Sequence, residues 1–187
     1  AHTLLEVNAS KKDKDFIMAV NWKMAEQLIK DGKGRKQAVK YASNRFDEVT
    51  HTATSTIKNE VQVLDVKDYP GLVYMIPCPK SPHGCDVDPT GEYIVGSGKL
   101  AALIPVFSFD KIQKAIADKA FDGEYDGIPV IKYEAALYGE VKKPGLGPLH
   151  TEFDGRGNAY TSMFVSSELV KWDIKDLKVL DRVPTYY

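Results

Sequence analysis

Four histidines occur in the 187 residues, and two of them, His83 and His150, stand at matching points of a repeated unit. The first lies in SPHGCDVDPTGEYIVGSG and the second in GPLHTEFDGRGNAYTSMFVSS. Each is followed by an Asp-x-x-Gly turn, Asp88 to Gly91 and Asp154 to Gly157, and ten residues on by a tyrosine, Tyr93 or Tyr160. A neutral imidazole is a good ligand for copper, zinc or iron. Equal units that each aim one imidazole at a shared point would build part of a metal site. Two imidazoles do not saturate a metal, and Asp88 and Asp154 read as turn residues, since Asp-Pro-x-Gly suits a type I turn. The plain alternative is that both histidines cap turns or pack within the repeat. Cys78, His83 and Cys85 form a C-x4-H-x-C trio whose spacing fits no common zinc pattern, so the cysteines read as buried strand residues. His51, in the Thr-rich EVTHTATST, reads as an exposed loop or edge position, and His2 matches no ligand motif.

The elements that must carry these residues are short strands. LVYMIPC, HGCDVD, EYIVGSG and LIPVFSF are rich in Val, Ile, Tyr and Phe and are separated by Pro, Gly and Asp. KIQKAIADKAF, with Ile112, Ala115, Ile116 and Ala120 at helical spacing, predicts an outer amphipathic helix ended near Gly123. The cycle then restarts: VIKYEAALYGE reads as a strand, LHTEFDGRGN as a strand and turn, AYTSMFVSS as a strand, and ELVKWDIKDLKVLDRV as another strand with its exit. DFIMAVNWKMAEQLIKDGKG resembles a third copy of the PVFSFD strand, followed by a helix through Met24, Leu28 and Ile29. Repeated units of four short antiparallel strands with outward helical insertions describe β-propeller blades. The expected class is therefore all-β: a partial β-propeller of about three four-stranded antiparallel blades with short helical insertions. The histidines are 67 residues apart, against roughly 40–50 in common propeller repeats. The helix and the DGEYDGIP loop are expected to absorb the surplus. In such a fold both histidines stand at the start of the strand lining the channel, where they can converge. A two-sheet sandwich is the structural alternative, but it leaves the His-turn-Tyr repeat without a reason.

Composition narrows the function classes. With 25 basic residues against 26 acidic ones, there is no electrostatic footprint for nucleic acid or an anionic membrane. SKKDK and KDGKGRK read as solvated turns. The longest apolar run, LAALIPVF, is eight residues, far short of the roughly 20 that span a bilayer. The N-terminal AHTLLEVN shows no targeting signal, and the abrupt RVPTYY favours a piece of a larger protein.

PKSPHGCDVDPTGEYIVGSGKL and GLGPLHTEFDGRGNAYTSMFVSSELVKW resemble the N-terminal seven-bladed propeller domain of the nitrous-oxide reductases, over most of the chain. The resemblance implies that residues 1–187 are a fragment of that domain. It implies that His83 and His150 are two of the seven histidines that hold a four-copper sulfide cluster, where nitrous oxide becomes dinitrogen and water. It implies a calcium site near the cluster, with Asp15 as its acidic ligand, or Asp13 in its place, and Ser81 standing where the family usually has asparagine. Further implied are a C-terminal cupredoxin domain with a dinuclear copper centre, absent from this sequence, a homodimer in the full-length protein, a periplasmic location and a periplasmic electron donor. The family's Tyr and Glu calcium ligands are missing here; the remaining cluster histidines and the cupredoxin domain are missing as well, and for that reason the isolated chain is expected to be inactive. The long insert between the histidines suggests a divergent branch.

Two rival readings follow from the residues. A generic propeller binding module would have structural histidines, no metal and no convergence of His83 with His150. A lactonase-like propeller around one calcium would need several channel-facing acids, and only Asp86, Glu152 and Asp154 come near. Two ligands of one cluster should bring nitrogens within roughly 8 Å, as two metal–nitrogen bonds of about 2 Å plus a metal–metal spacing of about 4 Å.

Overall fold

The computed structural model describes residues 15–42, 46–47, 52–53 and 56–186. His2, Asp13 and His51 lie outside them. The chain divides into two compact units, Val20–Val73 and the remainder. After β1 (Asp15–Val20) the smaller unit begins with α1 (Trp22–Lys30), where the Asn21 side chain accepts the Met24 N–H at 3.1 Å and so caps the first turn. β2 (Arg35–Ala42) pairs antiparallel with β5 (Thr56–Val63) without a register shift, and β3 (Phe46–Asp47) pairs with β4 (Thr52–Ala53).

The larger unit holds three four-stranded sheets. Its strands are β6 (Val73–Cys78), β7 (Pro82–Val87), β8 (Tyr93–Gly98), β9 (Leu103–Ser108), β10 (Phe121–Tyr125), β11 (Ile128–Ile131), β12 (Leu137–Lys142), β13 (Pro148–Phe153), β14 (Asn158–Met163), β15 (Glu168–Asp173) and β16 (Lys178–Pro184). The sheet orders are β1-β6-β11-β10, β7-β8-β9-β12 and β13-β14-β15-β16. This is the expected mostly β, partial-propeller architecture. The last sheet is an antiparallel meander, and in the middle one β7, β8, β9 and β12 are all antiparallel to their neighbours.

Three local expectations are corrected. DGEYDGIP is a hairpin rather than a loop: Asp126 and Gly127 both have positive φ (53° and 80°) between β10 and β11, the backbone of a type I′ turn. That hairpin joins the first sheet, and β11 runs parallel to β6, so this sheet is mixed. VIKYEAALYGE is broken by α3 (Tyr133–Ala136), which follows α2 (Phe109–Ala117) in chain order. ELVKWDIKDLKVLDRV is two strands, because Asp173 accepts the N–H groups of Lys175 and Asp176 at 2.9 and 2.8 Å and folds the chain back.

Two cores fill the seams between sheets. Ile17, Ile76, Cys78, Phe107, Ile112, Ala115, Ile131 and Ala136 pack together on one side of the middle sheet. On its other side Val95, Ile104, Val106, Val141, Ala159, Met163, Val170, Trp172 and Ile174 make the second cluster. Neighbouring residues of β9 split between them, Val106 to one core and Phe107 to the other, as the two-residue period of a strand requires. β9 is therefore apolar along nearly its whole length rather than alternating.

Candidate metal centre

His83 and His150 lie on β7 and β13, the end strands of adjacent sheets. Both sit at a break in the strand register. On β7 the pairing steps from Pro82↔Gly98 to Gly84↔Ser97, and on β13 from Pro148↔Met163 to Thr151↔Thr161. A bulge of this kind re-aims the side chain it carries. A proline opens each strand and withholds a backbone donor from its end of the ladder. At the second break the Ser162 hydroxyl stands in for the ladder, 3.4 Å from both the N–H and the carbonyl of His150.

The two imidazoles meet edge to face, with ring centroids 5.1 Å apart and an interplanar angle of 66°. A ring nitrogen stands little more than an ångström from its centroid, so the nitrogens of the two rings fall inside the roughly 8 Å that shared cluster ligands need. Both side chains are exposed. Among the described residues no group of three or more His, Cys, Asp or Glu side chains is arranged to hold a metal ion. The donor chemistry nevertheless suits copper: two imidazoles, side by side, on strands packed against the buried cores.

Gly84 makes the approach possible. A Cβ at this position would stand 2.2 Å from the Leu149 carbonyl oxygen, 2.9 Å from Asp86 Oδ2 and 3.2 Å from His150 Nδ1. Any larger residue after His83 would push β7 and β13 apart. Asp86, two residues further on, accepts the Thr151 N–H at 2.8 Å through Oδ2 and lies 3.3 Å from His150 Nδ1 through Oδ1. Thr151 is held from below: its hydroxyl is 2.8 Å from that of Thr161, which accepts the indole N–H of Trp172 at 2.9 Å, all three side chains being buried. Gly84 and Thr151 were not visible as site residues in the sequence, and Asp86 only as an acid near the channel, because what they do depends on a strand more than sixty residues away.

Asp88 and Asp154 are turn residues, as expected. Asp88 is buried and accepts from Thr90 and from the Tyr93 N–H at 2.9 Å. Asp154 accepts from the Asn158 side chain at 2.7 Å and from the N–H groups of Arg156 and Asn158. These bonds, the Asn158 side chain first, lower its pKa to about 2. Cys78 is buried as expected, and desolvation pushes its thiol up to about 12. Cys85 instead is exposed, although partial desolvation still raises it.

Asp15 and Ser81 are brought together. The Ser81 N–H donates to Asp15 Oδ2 at 2.6 Å, with Ser81 at φ 58°. The Ser81 carbonyl accepts the Lys99 N–H at 3.0 Å. Calcium takes six to eight oxygens, and this pair supplies a minority of them, with one carboxylate oxygen already turned to a peptide N–H. The residues described here do not by themselves fit a calcium shell.

No protein-family model matches the chain. It is similar to the nitrous-oxide reductase of Stutzerimonas stutzeri, 37% identical over 139 residues, which is 74% of this chain and 20% of that protein. The nitrous-oxide reductase of Pseudomonas fluorescens is 41% identical over 102 residues, covering 54% of this chain and 14% of the relative. That of Cupriavidus necator is 40% identical over 103 residues, covering 55% and 14%. The chain thus spans about a fifth, or less, of the length of the curated relatives it matches.

Proposed function

We propose that this relative of the nitrous-oxide reductases is a stretch, residues 1–187, of the propeller domain of such an enzyme, and that it contributes His83 and His150 to a four-copper sulfide cluster. The observation that carries this reading is the edge contact of the two imidazoles at 5.1 Å across a seam between sheets. The copper cluster, once bound, supplies the electrons and the Lewis-acid contact that inert nitrous oxide needs. The chain's own part is to hold two lone-pair nitrogens in register. The bulges aim the rings, Gly84 lets the strands close, and the Thr151–Thr161–Trp172 bonds tie the second strand to the core.

The complete protein in this proposal is a periplasmic oxidoreductase of denitrification, a homodimer that receives electrons from a periplasmic donor through a dinuclear copper centre in a cupredoxin domain. No helix among the described residues is long and apolar enough to cross a membrane. Calcium remains an expectation of the family likeness for Asp15 and Ser81, to be checked by calcium-dependent protection of the Ser81 amide. The generic binding-module reading expects the two histidines apart, so their contact speaks for the metal reading. Asp86, which a lactonase-like site would need facing substrate, is instead committed to Thr151 and His150.

Titration of the purified chain with Cu(I) against a chromophoric competitor tests the ligand pair. Binding that is lost in both His83→Gln and His150→Gln is the expected result. Copper uptake unchanged by both substitutions would sink the assignment. The isolated chain should not reduce nitrous oxide, and turnover by it would overturn the proposal that the remaining ligands lie elsewhere in a longer protein.

A further inference from the structure

We propose that Asp86 is a positioning residue for His150: its Oδ1 holds the Nδ1 proton and leaves Nε2 as the ring's lone-pair nitrogen. The purpose of that arrangement rests on the copper reading above, but the tautomer itself is a property of this chain. A carboxylate facing a ring nitrogen at 3.3 Å favours the tautomer that puts a proton between them. The opposite tautomer would set a lone pair against a negative charge. Metal-bound histidines commonly give their second N–H to such a partner, which fixes ring orientation and raises the basicity of the ligating nitrogen.

Three features keep Asp86 in place. Its Oδ2 accepts the N–H of Thr151, the residue next to His150, so one carboxylate fixes both the strand and the ring it carries. Thr151 is anchored by buried hydroxyl and indole bonds to Thr161 and Trp172. Gly84 leaves the space in which the carboxylate and the ring meet, within 2.9 and 3.2 Å of where its Cβ would be. Asp86 also lies on β7, the strand of His83, so the orientation of one histidine is set from the strand of the other.

The diagnostic substitution is Asp86→Asn. Its amide oxygen can still accept the Thr151 N–H, which leaves the NH2 group to face His150 Nδ1 and favours the proton on Nε2. The experiment is a long-range proton–nitrogen correlation spectrum of the chain with ¹⁵N-labelled histidine, at a pH about two units above the ordinary imidazole value near 6.5. The His150 signal is assigned by its loss in His150→Gln. In the unsubstituted chain the proton should reside on Nδ1, and in Asp86→Asn it should move to Nε2 while the Thr151 amide signal stays in place. Copper(I) affinity should fall about 10- to 100-fold in the same variant. A proton on Nε2 in the unsubstituted chain, or an even mixture, overturns the proposal, and that spectrum decides even if Asp86→Asn fails to fold. An Asn variant with unchanged tautomer overturns it equally. If the tautomer moves as expected but neither protein binds copper, the positioning role stands and the copper reading fails.

Discussion

At the scale of single residues, the site depends on an absent side chain as much as on present ones. Gly84→Ala would place a methyl carbon 2.2 Å from the Leu149 carbonyl oxygen, a backbone atom that cannot rotate away. Overpacking of this kind costs about 1–3 kcal/mol. A lowered unfolding midpoint together with loss of Cu(I) binding is expected, and a variant with both intact would show that the strands do not need this approach. The thiols give a second check. Cys85 reaches solvent, whereas burial holds the Cys78 thiol near 12. Since the thiolate is the reactive form, iodoacetamide should modify Cys85 alone in the folded chain and both after denaturation. Equal labelling of the two in the native state would contradict the packing of Cys78 against β8 and β9. The histidines were legible in the sequence because they repeat with their turns and tyrosines. Asp86 was legible only as an acid near the channel; its hold on the ring was not, because its partners His150 and Thr151 come from another sheet.

At the scale of elements, turn chemistry explains which strands could be read in advance. The Asp154 turn announces itself with Asp-Gly-Arg-Gly-Asn, and its carboxylate takes three nitrogen donors. Its pKa is depressed, so the stabilisation it gives is complete above the ordinary carboxylate range and is lost as pH falls through about 2. The amide signals of Arg156 and Asn158 should shift together in that acid window. A midpoint near the unperturbed aspartate value would show that the bonds do not form in solution. The β15–β16 turn was harder to see. Leu177 takes a positive φ of 54° there, a conformation that glycine or asparagine would have signalled. Gly139 opposite explains the space, since its Cβ would fall 2.3 Å from Leu177 Cδ1. The Asp126-Gly127 pair carried a plain hairpin signal; read as loop, it concealed two strands. Gly127→Ala should destabilise the hairpin by about 1 kcal/mol, visible as faster hydrogen exchange at Tyr125 and Ile128.

Over the larger unit, the three sheets are held by their seams rather than by their edges. Trp172 is fully buried in one seam and donates its indole N–H to Thr161. Replacing it with alanine removes both packing and the donor, at about 3–5 kcal/mol. The cost should extend to the metal site, because Thr161 is the support of Thr151. Trp172→Phe keeps most of the volume and should recover much of the stability while leaving the hydroxyl pair without its donor. Equal unfolding midpoints for the two variants would mean that volume contributes nothing. The strand pattern made the class of fold legible. Which sheet each strand joins was not, because pairing partners are chosen by tertiary packing rather than by local composition.

The hairpin β10–β11 has a consequence for how the chain assembles. It is made after the first three strands of the middle sheet, yet it completes the sheet before them, with Val130 aligned to Met75. During synthesis both sheets stay unfinished after their early strands are made: β6 waits for β11, while β9 waits for β12, which follows the hairpin. No ribosome-bound intermediate ending before Phe121 holds either sheet complete, and the first sheet gains its last strand before the middle one does. Contacts of this sequence separation close slowly, so the unfinished edge of β6 stays open longer than a simple meander would leave it. That interval, rather than the finished protein, is where this chain is most exposed to pairing with another copy of itself.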